Sequence, residues 1–177
     1  MDKRELNALM SKIQDGDENA FAKLYEETSR GVFTFAYSIV GNTLDAEDIM
    51  QETYIRIRRF AQSYTIGGNV SAWILQITKN LAYDFLKKSN RTIEIENIDI
   101  LPNIENVTPN DKLSVYHVIN KYLSLVDRQI VILHIVYGYK NREIAKFLDM
   151  PVGTVLWRYN KAMKTLREKL EGVKDEK

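Results

Sequence analysis

Three groups of side chains are spaced to do chemistry or recognition. Asp45, Asp48 and Glu52 fall at i, i+3 and i+7, so on a helix their carboxylates project together, with Gln51 beside them. Paired carboxylates can do acid–base work or hold a cation. Here no apolar pocket, His or partner ligand accompanies them, which favours a surface docking stripe. Attraction to the helix dipole explains Asp45 and Asp48 in a first turn, but not Glu52, two turns in. In the second group, Gln76, Lys79, Asn80, Tyr83 and Lys87 share a helical face, with Lys88 and Arg91 after them. Amide, aromatic and basic groups interleaved in this way suit single-stranded DNA, where rings stack on bases and lysines track phosphates. Asn80 or Tyr64 can read the hydrogen-bonding edge of a flipped base; an ordinary polar helix face carries the same pattern. In the third, Leu156, Trp157, Asn160, Lys161 and Lys164 lie off the apolar stripe of their own helix. Residues 140–169 around them hold 8 basic and 3 acidic side chains.

The elements that must position these groups are helical. Leu6, Leu9, Met10 and Ile13 mark a first helix, broken at Asp15-Gly16-Asp17. A second runs from Asp17 through Phe21, Leu24, Val32, Phe35 and Ile39 to Gly41-Asn42. A third spans Leu44 to Phe60, with Ala46, Ile49, Thr53, Ile57 and Phe60 as its inward stripe. Tyr64–Val70, with Gly67-Gly68, reads as a loop. A fourth helix runs from Ser71, its expected N-cap, to Lys88, with Trp73, Ile77, Leu81 and Phe85 facing inward. Thr92–Pro109 contains Pro102 and Pro109 and no basic residue, and is expected to be extended. Helical spacing resumes at Leu113, Tyr116, Ile119 and Leu123, and again over Ile130–Val136 up to Gly138.

Asn141 is expected to cap a short helix, Arg142–Leu148, followed by a turn at Asp149-Met150. Pro151 suits a first helical turn, and Gly153-Thr154 open a longer helix. Val155, Tyr159, Ala162, Leu166 and Leu170 form its inward stripe. Two helices joined by so short a turn predict a DNA-binding helix-turn-helix, whose second helix enters the major groove. A plain helical hairpin with a solvated lysine face is the simpler alternative. Against it, Leu156 and Trp157 are large apolar residues placed outward, where thymine methyls are one available contact. Trp157 folding back onto the first helix of the motif is another.

Composition narrows the classes. With 177 residues and no cysteine, the chain has no disulfide, thiolate metal site or thiol nucleophile. No signal-peptide or membrane-spanning pattern is present, and a soluble, cytoplasmic protein is expected. The formal net charge of +1 hides blocks of −6 over residues 1–52, +6 over 53–91, −5 over 92–111 and +6 over 112–177. Such sorting implies two kinds of partner, one of them anionic. His117 and His134 lie in apolar helical stretches and read as core or rim residues. Without a phosphate loop or ligand cluster, no enzymatic activity, cofactor, metal or small-molecule substrate is expected.

Taken in order, Asp45–Ile55, Ala72-Trp73-Ile74 with Asn80–Asp84, and Asn141–Ala145 followed by Pro151–Val155 resemble a bacterial RNA polymerase sigma factor. The resemblance is to the extracytoplasmic-function (ECF) group of the sigma-70 family and covers nearly the whole chain. It implies an all-α fold of two small helical domains, 1–91 and 111–177, joined by an acidic linker, 92–110. It implies that Asp45, Asp48, Gln51 and Glu52 dock on core RNA polymerase. Tyr64, Asn69, Trp73, Gln76, Lys79, Asn80, Tyr83 and Lys87 then read the melted minus-10 element, through the fourth helix and the loop Ser63–Ser71. Arg142, Thr154, Leu156, Trp157, Arg158, Asn160, Lys161 and Lys164 read the minus-35 duplex. An anti-sigma protein, often membrane-tethered, is implied as regulator. Leu156 and Trp157 stand where the family usually has a basic and a small polar residue, so either apolar readout or a protein contact is expected there. Asp127, near the usual place of a Pro-Glu pair, is a milder departure. A free-standing helix-turn-helix regulator is the alternative, though it leaves the carboxylate stripe without a purpose.

Overall fold

The computed structural model describes residues 2–89 and 111–172, all helix, turn or loop. The chain divides into two compact units, Met1–Arg91 and Thr92–Lys177. The segment 92–110, expected to be an extended acidic linker, lies outside the described residues, as do Arg91 and the side chain of His117.

The first unit consists of α1 (Lys3–Gln14), α2 (Glu18–Val40), α3 (Thr43–Phe60), a 3-10 turn (Ala61–Ser63) and α4 (Val70–Lys88). Each helix starts on a side-chain cap. The Asp2 carboxylate accepts from the Arg4 and Glu5 amides, and Glu5 returns the bond to the Asp2 amide, which satisfies donors the helix itself leaves unpaired. Asp17, Asn42 and Asn69 cap α2, α3 and α4 in the same way. Gly41 ends α2 with φ 71°, a left-handed conformation that costs glycine little. Met10, Leu24, Phe35, Ala46, Ile57 and Leu75 are fully buried where α2 packs on α3, α4 and α1. Burial of one such large side chain stabilises the fold by about 1.5–3 kcal/mol.

Three expectations for this unit change. Asn69, not Ser71, caps α4, its Oδ1 accepting from the Ala72 amide at 3.0 Å. The buried stripe of α4 is Val70, Ile74, Leu75, Thr78, Leu81, Ala82 and Leu86, while Trp73, Ile77 and Phe85 are half-buried at its edge. The centre of that stripe is Thr78, whose hydroxyl bonds the Ile74 carbonyl and receives the buried Thr53 hydroxyl, so polarity hid it. Phe60 is exposed, because α3 ends there and the chain turns into the 3-10 segment.

The second unit consists of α5 (Asp111–Tyr122), α6 (Leu125–Ile135), α7 (Asn141–Leu148) and α8 (Val152–Gly172). α8 packs against α5, α6 and α7, and α6 is deeply buried, with Leu125 and Ile130–Leu133 all enclosed. It also buries charge: Arg128 is fully enclosed, its Nε donating to the Leu123 carbonyl at 2.8 Å. Lys140, not Asn141, occupies the N-cap of α7, and its amide donates to Glu143 Oε2 at 2.8 Å. Asn141 instead bonds His134 Nε2 at 2.9 Å, which makes His134 a rim residue, its ring tilted against that of Tyr159 with centroids 4.3 Å apart. Val155, Ala162 and Leu166 carry the inward stripe of α8, and Tyr159 is half-buried. Leu170 is exposed, one turn past the last covered position.

Candidate nucleic-acid interface

α3 presents a mixed outer face. Asp48 and Gln51 are exposed, Asp45 and Glu52 are half-buried, and Glu52 Oε1 pairs with Arg56 Nε at 3.1 Å one turn on. An exposed pair of that spacing adds only about 0.3–0.5 kcal/mol, so the Glu52 carboxylate can change partners at little cost. Sequence reasoning missed two neighbours: Leu44 is 71% and Ile55 52% exposed. Leu44, Asp48, Gln51 and Ile55 fall at i, i+4, i+7 and i+11 and so form one stripe, polar in the middle and apolar at both ends. The signal was available, since both residues lie off the inward stripe of the helix.

The loop before α4 is ordered in detail. Gly67 has φ 92°, a conformation that disfavours any side chain. A Cβ on Gly68 would lie 3.0 Å from the Tyr64 hydroxyl and 3.1 Å from the Thr65 carbonyl. The Tyr64 ring packs against Trp73 with centroids 5.3 Å apart, and its hydroxyl donates to Asn7 Oδ1 at 3.1 Å. Burial pushes the Tyr64 hydroxyl pKa up, with that hydrogen bond opposing the shift. Tyr64 is therefore a wall of the loop here, with its hydroxyl already engaged and no free edge for a base. Asn69 spends its side-chain oxygen on the α4 cap.

Along α4, Trp73, Gln76, Asn80, Tyr83 and Lys87 fall on one face at i, i+3, i+7, i+10 and i+14. Gln76, Asn80 and Lys87 are exposed, and Trp73, Lys79 and Tyr83 are half-buried. Gln76 Nε2 donates to Asn80 Oδ1 at 2.9 Å, which leaves the Asn80 amide pointing its donors away from that contact. Six of the eight sequence-chosen residues thus lie on α4, while Tyr64 is buried in the loop wall and Asn69 caps the helix.

In the second unit α7 and α8 are joined through Asp149, whose φ of 54° lets the chain reverse within Asp149-Met150. Leu156 and Trp157 are 46% and 59% exposed, so Trp157 does not fold back onto α7; Lys161 Nζ lies 5.2 Å over its ring. Arg142, Asn160, Lys161 and Lys164 are exposed, and Thr154 is half-buried. Arg158 behaves differently. Its Nη1 donates to Asp127 Oδ1 at 2.9 Å, and the second oxygen of Asp127 receives the Ser124 hydroxyl at 2.7 Å. The guanidinium is thereby drawn inward onto α6, and Asp127 gains a purpose that its place in the sequence did not reveal.

A family model for sigma-70 region 2 matches residues 24–92, and one for sigma-70 region 4 matches residues 121–166. The chain belongs to the sigma-70 family. Within it the ECF group is shown by curated relatives. The ECF RNA polymerase sigma factor SigW of Bacillus subtilis is 28% identical over 176 residues, covering 91% of this chain and 94% of SigW. SigE of Mycolicibacterium smegmatis is 31% identical over 166 residues, 88% of this chain and 64% of SigE. Among solved structures, the sigma factor RpoE of Bartonella quintana, crystallised with the anti-sigma factor NepR, shares the fold at a TM-score of 0.69. It is 24% identical and covers 85% of this chain and 96% of its own. CnrH, solved with the cytosolic domain of CnrY, gives a TM-score of 0.68 at 20% identity, covering 95% and 98%. As an ECF sigma factor the chain directs promoter-specific transcription initiation. In it, the carboxylate stripe and the α4 face fall within the region 2 match, and α7 with most of α8 within the region 4 match. No helix among the described residues is long and apolar enough to cross a membrane, and no group of three or more His, Cys, Asp or Glu there can hold a metal ion.

Proposed function

We propose that this sigma factor acts in the cytoplasm as a non-catalytic subunit with three separate contact faces. Leu44, Asp45, Asp48, Gln51, Glu52 and Ile55 on α3 bind core RNA polymerase, the two apolar ends anchoring and the acids setting register. Trp73, Gln76, Lys79, Asn80, Tyr83 and Lys87 read the melted minus-10 strand by stacking, amide hydrogen bonds and phosphate contact. Arg142, Thr154, Leu156, Trp157, Asn160, Lys161 and Lys164 meet the minus-35 duplex, with Arg158 bracing α8 against Asp127 behind them. The domain assignment follows: residues 1–91 for polymerase and minus-10, 111–177 for minus-35, and 92–110 as the linker. An anti-sigma protein, as in the complex solved for RpoE, regulates access to these faces.

The observation that carries the reading is the outward placement of all three groups, on helices within two family regions that follow in sigma-factor order. Reconstitution tests it: purified chain and core polymerase should give run-off transcripts from a specific promoter. Glu52→Lys should weaken core binding about tenfold, in line with a like-charge clash at an interface. Duplex binding by the second unit should be unaffected. Core affinity unchanged in both Glu52→Lys and Ile55→Asp would remove α3 from the polymerase interface.

A further inference from the structure

The region 2 match begins at residue 24, so α1 lies wholly ahead of it. Yet α1 supplies the side chains that hold the loop in front of α4. Asn7 is buried, and every polar group of its amide is used. Nδ2 donates to the Lys3 carbonyl at 2.8 Å and to the Gly68 carbonyl at 3.1 Å. Oδ1 accepts the Gly67 amide at 2.6 Å and the Tyr64 hydroxyl at 3.1 Å. Two turns along, Gln14 Nε2 donates to the carbonyls of Ala61 and Tyr64, both at 2.8 Å, and its own carbonyl receives Gln62 Nε2.

These contacts grip the segment at both ends, at Ala61–Tyr64 by Gln14 and at Gly67–Gly68 by Asn7. Ile66 stands between the two grips and is 44% exposed. Four of the six bonds to this segment go to its backbone groups, so they fix the path of the chain; the other two engage the side chains of Tyr64 and Gln62. Gly67, in its left-handed conformation, and Gly68, close under Tyr64, have no side chains with which to stiffen the turn. A loop tied down in the folded protein does not have to be ordered when a flexible single strand arrives.

We infer that Asn7 and Gln14 are positioning residues for promoter reading: from outside the region 2 match they hold residues 61–68 in the shape that sets Ile66 and the Tyr64–Trp73 pair beside the α4 face. The inference rests on the assignment of that face to the melted minus-10 strand. Neither residue touches DNA in this role; both act through the loop.

The test uses holoenzyme assembled from the full chain and core polymerase. The probes are a labelled single-stranded minus-10 oligonucleotide, taken from a promoter selected with the unaltered holoenzyme, and copies with each base replaced in turn. Asn7→Leu, close in size but apolar, and Gln14→Met are compared with the parent. Core affinity should stay within about twofold, while affinity for the matched strand falls about tenfold, the scale set by leaving buried backbone groups unpaired. The ratio of matched to mismatched binding should shrink towards one, a change that general loss of stability does not produce. Should Asn7→Leu fail to fold, Gln14→Met, on a half-buried side chain, carries the test. Folded variants with unchanged strand affinity and unchanged ratio overturn the inference, and so does a parallel loss of core affinity. Asn80→Ala and Lys87→Ala separate the two levels. If they weaken strand binding and the α1 variants do not, only the positioning role fails. If they too have no effect, the assignment of α4 fails and takes the positioning role with it.

Discussion

The two surfaces assigned to DNA are held in place by opposite means. The α4 face adjoins a glycine-containing loop, and that loop is tied by six side-chain hydrogen bonds to or from Asn7 and Gln14, 47 to 61 positions away in sequence. The α8 face is a regular helix whose backbone satisfies itself. It needs only its angle set, and one ion pair, Arg158 to Asp127, with the apolar stripe beneath, does this. The difference suits the two forms of DNA proposed for these faces. A duplex offers a groove of fixed shape that a rigid helix can enter. A single strand has no shape of its own, so the protein must supply one.

The largest expected effect attacks the simpler anchor. Asp127→Ala leaves Arg158 half-buried without its carboxylate. It should destabilise the second unit by roughly 2–3 kcal/mol, less than the full cost of orphaning a buried charge because Arg158 keeps some solvent. Amide exchange on the intact chain should show α6 and α8 opening faster, with α2 and α3 as an unchanged internal reference. Equal protection in the variant would mean that the apolar stripe alone sets α8. Next is Asn69→Ala, which removes the α4 cap at about 1 kcal/mol. Its effect should appear as faster exchange in the first turn of α4, with α8 untouched. The smallest expected effect is Lys164→Ala, which should lower duplex affinity modestly and make the log–log salt slope shallower by about 0.9 if one phosphate contact is lost. An identical change in single-strand binding would break the separation between the two faces.

Much of this was legible along the chain because helices announce themselves locally. Asp17, Gly41 and Asn42 fix the ends of α2 and the start of α3, and a 3.6-residue period in Ala46, Ile49, Thr53 and Ile57 fixes the inward face of α3. Most of the misreadings involve partners or chain paths that the local pattern does not contain. The stripe of α4 turned out to be centred on Thr78, since its hydroxyl is satisfied by the helix and by Thr53 from α3. Ser71 lost the cap to Asn69 because both residue types suit it and only the incoming loop decides between them. The pairing of Arg158 with Asp127 was not legible because Asp127, 31 positions earlier, gives no sign of being its partner. Asn7 went unnoticed for the same reason: an amide on an amphipathic helix looks solvated until the loop it binds is in place. Leu44 and Ile55 show the converse: single apolar residues on an outer helix face look like ordinary exposed side chains until their common stripe with Asp48 and Gln51 is seen.

The placement of the tryptophans has an optical consequence. The chain has two, and each unit holds one: Trp73 half-buried against Tyr64 at the loop, and Trp157 exposed beneath the Lys161 ammonium. Replacing either by phenylalanine leaves a single emitter, shielded in one case and water-facing in the other. Engagement of the melted strand and of the duplex can then be followed as two independent fluorescence signals, in real time and without an attached dye.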